Sequence, residues 1–270
     1  MFMSRSETVR LAPAVVLVAV VSGGAMTAPR VQDVAAEYSE LSDAYDETLS
    51  QLYSEIESVP RDERAKVYYQ KLDGIDAEYQ VKFDALASKS KGTETAAKSL
   101  VWVAKLSAAG RANTPECERR ATVAFDVLVS DHIKSDALET LAGALADAHT
   151  LDTACDAALT KMYAASPHRL VQASSLHSLA LRGMSRMGDD ANKRAEVRKR
   201  FIELKEKYSD LADQGGRSYG KLCDGTLFEI DNLQIGMVVP DMEATDETGT
   251  KFKLSDYRGK VVVVDFWGFW

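Results

Sequence analysis

The chain has 270 residues, of which 46% are hydrophobic, 27% charged and 8% aromatic. That is enough apolar material for a buried core in one or two domains, and it excludes a collagen-like, mucin-like or wholly disordered chain. With 33 Lys+Arg against 41 Asp+Glu the net charge is -8, and the densest basic stretch, Lys193 to Lys207, is interleaved with Glu196, Glu203 and Glu206, which argues against a nucleic-acid binder.

The first residues read as a secretory signal over 1–25. Arg5 and Arg10 supply positive charge, Leu11 to Val21 is apolar, and Ser22-Gly23-Gly24-Ala25 offers small residues for cleavage, with Ala28 as a second position. A bilayer span takes about 20 apolar residues, so this run predicts no stable membrane anchor. The alternative is an N-terminal apolar helix of the folded domain. Export to the periplasm or the exterior would put the chain where disulfides persist. The cysteines are Cys117, Cys155 and Cys223, with no C-x-x-C pair. Cys117 and Cys155 can pair if neighbouring antiparallel helices carry them; otherwise all three are small buried residues. None stands at metal-ligand spacing with His132, His149, His168 or His177, so neither a metal nor a cofactor is expected.

From Val34 to about Tyr208 apolar residues recur at steps of three and four. Tyr38, Leu41, Tyr45, Leu49, Leu52 and Ile56 mark one long amphipathic helix; Ala65, Tyr68, Leu72, Ile75, Tyr79, Phe83 and Leu86 mark a second. Pro60 separates them, which predicts an antiparallel helical hairpin with an aromatic core stripe. Shorter helices are predicted near 94–109, 115–130, 135–148, 151–164, 168–187 and 192–211. Thr114-Pro115 and Ser166-Pro167-His168 read as helix starts. The lengths suggest a solenoid-like but irregular helical domain over 26–211, since no fixed repeat period is present. Such domains bind protein partners. Residues 212–234 read as a linker, with a short alternating segment at Leu227 to Ile230.

The end of the chain changes character. Met242 to Thr245 and Lys251 to Leu254 flank Asp246-Glu247-Thr248-Gly249, a β-hairpin signature. Ser255 can cap one helical turn that Gly259 ends. Val261 to Val264 has no polar alternation, as in a strand buried on both faces. Then comes Asp265-Phe266-Trp267-Gly268-Phe269-Trp270.

Taken together, Ile235-Gly236, Pro240-Asp241, Asp246 to Gly249, Leu254 to Tyr257, Arg258-Gly259-Lys260 and Val261 to Trp270 resemble the thioredoxin-like redoxin superfamily. The branch is that of exported thiol-disulfide oxidoreductases, grouped with the alkyl hydroperoxide reductase/thiol-specific antioxidant proteins. The periodicity predicts a mostly α chain, and the resemblance implies that its helical domain is followed by the hairpin and first central strand of an incomplete α/β thioredoxin-like fold over 235–270. It implies thiol-disulfide exchange with protein or small-molecule thiols and disulfides.

In that family the nucleophilic cysteine of W-C-x-x-C follows the second tryptophan, here Trp270, so the nucleophile is expected immediately after the last residue. A recoded stop, a nonsense codon and a gene-model error are the readings of that end. By resemblance Asp265 matches the buried acid that helps deprotonate the second cysteine, and Trp267 and Trp270 match the walls of the redox centre. Their alternatives are a strand-end carboxylate and ordinary core packing. The competing function is a non-enzymatic helical interaction protein carrying a redoxin remnant.

Overall fold

The computed structural model describes residues 31–111, 114–148 and 150–265. The expected signal segment lies outside them. The helical order runs α1 Val31–Glu57, α2 Arg64–Lys89, α3 Glu94–Ala108, α4 Pro115–Asp131, α5 Leu138–Ala144 with a 3-10 turn at Leu145–Asp147, α6 Asp152–Ala165, α7 Arg169–Met187, α8 Ala191–Tyr208 and α9 Tyr219–Asn232. A two-stranded sheet, β1 Glu243–Thr245 and β2 Lys251–Lys253, and a 3-10 turn at Leu254–Tyr257 complete it. The described chain is therefore mostly α.

Local chemistry explains most of the boundaries. Pro60 ends the first helix, and Arg64 closes the turn by donating from Nε to the Val59 carbonyl at 2.8 Å and from Nη2 to the Glu57 carbonyl at 2.7 Å. The last carbonyl of α1, that of Glu57, is thereby satisfied together with one carbonyl of the turn. Thr114 caps α4 through its Oγ1, which accepts from Cys117 N at 3.2 Å with Pro115 at the first turn. Ser166-Pro167-His168 behaves differently. The helix starts at Arg169 with His168 as an N-cap lacking a side-chain bond, and Ser166 Oγ accepts from His168 N.

Most helices pack chiefly on a neighbour in the chain, whereas α5 packs chiefly on α7 and then on α3. One core joins Tyr45, Tyr79, Phe83, Leu100, Phe125, Leu128, Leu141, Leu159 and Val171. Its aromatic stripe is core: Phe83 stacks on Trp102 at 4.2 Å, and Tyr38 meets Phe83 edge-on. Of the residues expected on the same stripe, Ala65 is exposed and Tyr68 half-buried. A second core joins the far side of α7 to α8 and α9 through Leu176, Val197, Phe201, Leu204, Tyr219, Cys223 and Ile230.

That second core corrects the expected linker at 212–234. Most of it is α9, with Tyr219, Cys223 and Ile230 buried, and Leu227 to Ile230 is one of its helical turns. Gly220 and Gly225 lower intrinsic helix propensity there, but tertiary packing overrides them. Gly220 is used for close approach: a Cβ would sit 3.2 Å from Ser209 Cβ.

Two ionic networks lock the helices together. Arg182, 2% exposed, donates to Asp152, Asp156 and the carbonyls of Leu145, Ala148 and Asp152. Asp76, fully buried, accepts two bonds from Arg111 and one from Tyr45.

Candidate functional site

The C-terminal segment is built around two aspartates. Asp246 closes the hairpin: its Oδ1 accepts from Thr248 N, Thr248 Oγ1 and Thr250 N at 2.7–2.9 Å. Gly249 supplies the φ of +85° that the turn requires. The strands pair antiparallel with Ala244 opposite Phe252. Asp241 then ties the entry of the hairpin to its exit, accepting from Ser255 N and Ser255 Oγ, both at 2.8 Å. These bonds hold the Asp241 and Asp246 carboxyls below the usual carboxylate range. Ser255 is therefore an anchor for Asp241 and not the cap of the 3-10 turn. The N-cap is Lys253, whose backbone N–H donates to the Asp256 carboxylate at the third position of the turn.

One face of the hairpin is apolar. Met242, Ala244, Phe252, Leu254 and Tyr257 line an open cleft of about 370 Å³ with Val262 to Asp265. The valine run departs from expectation. It is not paired as a strand, and Val261 and Val263 are 97% and 88% exposed. Val262 and Val264 turn into the cleft. No strand pairs with the run among the described residues, so no ladder forms there. Asp265 sits exposed at the end of this run, not buried. Trp267 and Trp270 lie outside the described residues.

All three thiols are free and buried. No bond joins Cys117 to Cys155. Cys117 packs with Leu106, Ala77 and Trp102, whereas Cys155 belongs to the first core and sets its Sγ 3.6 Å from the Thr150 carbonyl. Burial pushes the Cys155 and Cys223 thiols up to about 11, so both are protonated at neutral pH and neither is a thiolate nucleophile. Native protein is therefore expected to react sluggishly with a thiol-specific disulfide reagent and to yield all three thiols after guanidinium unfolding. A rapid native reaction, or fewer than three thiols when unfolded, would count against this placement.

The helical domain has concavities that sequence reasoning missed. The larger, about 770 Å³, lies between α1, α3, the start of α5 and the start of α7, with Tyr38, Lys98, Asp136, Glu139, His168 and Arg169 on its walls. Arg169 there is already engaged with Asp210 and the Lys207 carbonyl, and His168 Nε2 lies 2.6 Å from the Lys134 carbonyl. A second cleft, about 260 Å³, holds His177, Asp213, Arg217 and Tyr219. Burial keeps the His177 imidazole below its ordinary pKa against the opposing charge of Asp213. Only the helix-start signal at Ser166-Pro167-His168 pointed near either. Among the described residues no group of three His, Cys, Asp or Glu side chains converges as metal ligands do, and no helix is long and apolar enough to cross a membrane.

Over 38 residues, 14% of its length, the chain is 50% identical to the thiol-disulfide oxidoreductase ResA of Geobacillus kaustophilus (strain HTA426). The match covers 22% of that protein, so the chain spans about a fifth of the curated relative it matches. No family model matches the chain, and no solved structure does. The likeness supports a thioredoxin-like, redoxin relationship for part of the chain.

Proposed function

We propose that residues 235–270 are the entry portion of a thioredoxin-like domain that carries out thiol-disulfide exchange, on a chain exported by residues 1–25. The observation that carries this reading is the 50% identity to a thiol-disulfide oxidoreductase over 38 residues. The hairpin supports it. Asp241 and Asp246 hold a preformed turn and present an apolar face against Val262 and Val264, which suits a surface awaiting the rest of an α/β domain.

In this reading the nucleophile is the first cysteine of a C-x-x-C pair directly after Trp270. A helix N-terminus there would lower its pKa and make the attacking thiolate available. It attacks a sulfur of the substrate disulfide, and the second cysteine resolves the mixed disulfide. Asp265 would take the proton of that second cysteine once the rest of the domain covers it. Trp267 and Trp270 would wall the site. Substrates are protein or small-molecule disulfides and thiols, and the helical domain offers its clefts to a protein partner.

The test compares two products of the gene in an insulin-reduction assay: the 270-residue chain, and a chain continued through the reading frame past Trp270. The short chain is expected to give no turnover above background, because its three thiols are buried. The continued chain is expected to carry the cysteine pair and to turn over. A frame without such a pair, or turnover by the short chain that Cys223→Ser abolishes, would sink the proposal.

A further inference from the structure

Beside the Pro60 turn, α1 and α2 bring two tyrosines together on the surface. Tyr53 and Tyr68 stack with ring centroids 5.3 Å apart and planes 29° from parallel. The Tyr68 hydroxyl donates to the Tyr53 hydroxyl at 2.9 Å. Tyr53 is 59% exposed, and Tyr69, edge-on to Tyr68, is 63% exposed. Neither the packing of the core nor the thiol-disulfide reading uses these rings.

We infer that Tyr53 and Tyr68 form an oxidative modification site, coupled to dityrosine by a one-electron oxidant of the peroxidase class with hydrogen peroxide. Each phenol gives up one electron and one proton and becomes a phenoxyl radical, whose spin is shared with the ortho ring carbons. The two radicals combine, forming one carbon-carbon bond between ortho positions. Each ortho proton then moves to its own ring oxygen and restores the phenol. The net loss is two electrons and two protons, which one hydrogen peroxide accepts to give two waters.

The geometry favours this pair over the alternatives. In the coupled product the two oxygens sit side by side across the new bond. Hydroxyls already 2.9 Å apart on nearly stacked rings leave only small side-chain rotations to make, which is the advantage of a preassembled encounter. The Tyr68 hydroxyl is pushed up to about 12, its bond to Tyr53 being the largest cause, so that ring enters as a phenol at neutral pH. The other close pair, Tyr45 and Tyr79, has centroids 5.1 Å apart but is buried. Its hydroxyls face elsewhere, Tyr45 towards Asp76 and Tyr79 towards the Ala44 carbonyl. Tyr68 and Tyr69 share no hydroxyl contact among the described residues. The cross-link would tie α1 to α2 across 15 residues of chain.

The experiment treats the full chain with a haem peroxidase and hydrogen peroxide, isolates the monomer, and reads dityrosine fluorescence and the tryptic map. The expected product is one linked pair of peptides, lighter than their sum by two hydrogens, joined at Tyr53 and Tyr68. Tyr53→Phe and Tyr68→Phe should bring the monomer signal to background, while Tyr69→Phe should retain it. A link at another pair, links between separate chains only, or monomer fluorescence that survives Tyr53→Phe would overturn the assignment. Should a Phe variant lose its helical circular dichroism, the wild-type peptide map still decides.

Discussion

Arg182→Ala is expected to cost about 3 kcal/mol of stability, read as a fall in the urea midpoint at pH 7. The guanidinium is buried on α7, and its three nitrogens are all engaged. Nε reaches Asp156 Oδ1 at 2.5 Å, Nη2 reaches Asp152 Oδ1 at 2.7 Å, and Nη1 donates to the Leu145 and Ala148 carbonyls. Those carbonyls close the 3-10 turn after α5, so one side chain joins three elements. Alanine would leave buried carbonyls unpaired, and each such group costs about 1–3 kcal/mol. The two aspartates are 64% and 37% exposed and keep Arg186 as a partner. Water can therefore relieve part of the loss, which places the estimate at the low end for a broken buried pair.

The same network sets an acid limb. Burial alone would raise the Asp156 pKa, but the bonds and charges of Arg182 and Arg186 outweigh it and hold the carboxyl below its ordinary value. A depressed carboxyl contributes stability that is full above the unfolded pKa of about 3.9 and is lost as pH falls through the folded value. The fall in stability below about pH 4 should therefore be shallower in Arg182→Ala than in the wild type. Equal acid limbs would mean that Asp156 draws its stabilisation from Arg186 alone.

What could be read along the chain was local. Pro60, Thr114-Pro115 and Gly249 each act on the residues beside them, and the structure places breaks, a cap and a turn where they stand. What escaped depends on distant chain. α9 is helical because Tyr219, Cys223 and Ile230 find α7 and α8, and its own glycines argue the other way. The valine run has strand composition, but a strand needs a partner and composition does not provide one. The fate of the thiols is likewise a matter of burial, which spacing between cysteines does not report. In the candidate site the hairpin and its Asp246 turn were legible. The Asp241–Ser255 clasp joins residues 14 apart and was not.

The second ionic network shows the same limit and gives the other large effect. Tyr45, Asp76 and Arg111 lie up to 66 residues apart in sequence. Asp76 is fully buried, whereas the Arg111 side chain is 37% exposed. Removing the arginine is therefore worse than removing the acid, because Arg111 can turn to water and Asp76 cannot. Arg111→Ala is expected to cost about 3 kcal/mol at pH 7, and Asp76→Ala less. Burial already raises the Asp76 pKa, against the lowering by Tyr45 and Arg111. An acid raised on folding stabilises below its unfolded pKa and loses that contribution as pH rises through the folded value. Without Arg111 the pKa moves further up, so the deficit of Arg111→Ala should shrink towards pH 4 as Asp76 takes up its proton. Urea midpoints at pH 7 and pH 4 measure this, and an equal deficit at both would refute it. An apolar replacement of the whole cluster, Tyr45→Phe with Asp76→Leu and Arg111→Met, removes the buried charge along with its partners. It is expected to fall within about 1 kcal/mol of the wild type. A triple variant as weak as Arg111→Ala would show instead that the network's hydrogen bonds, and not the stranded charge, hold α1, α2 and the end of α3 together.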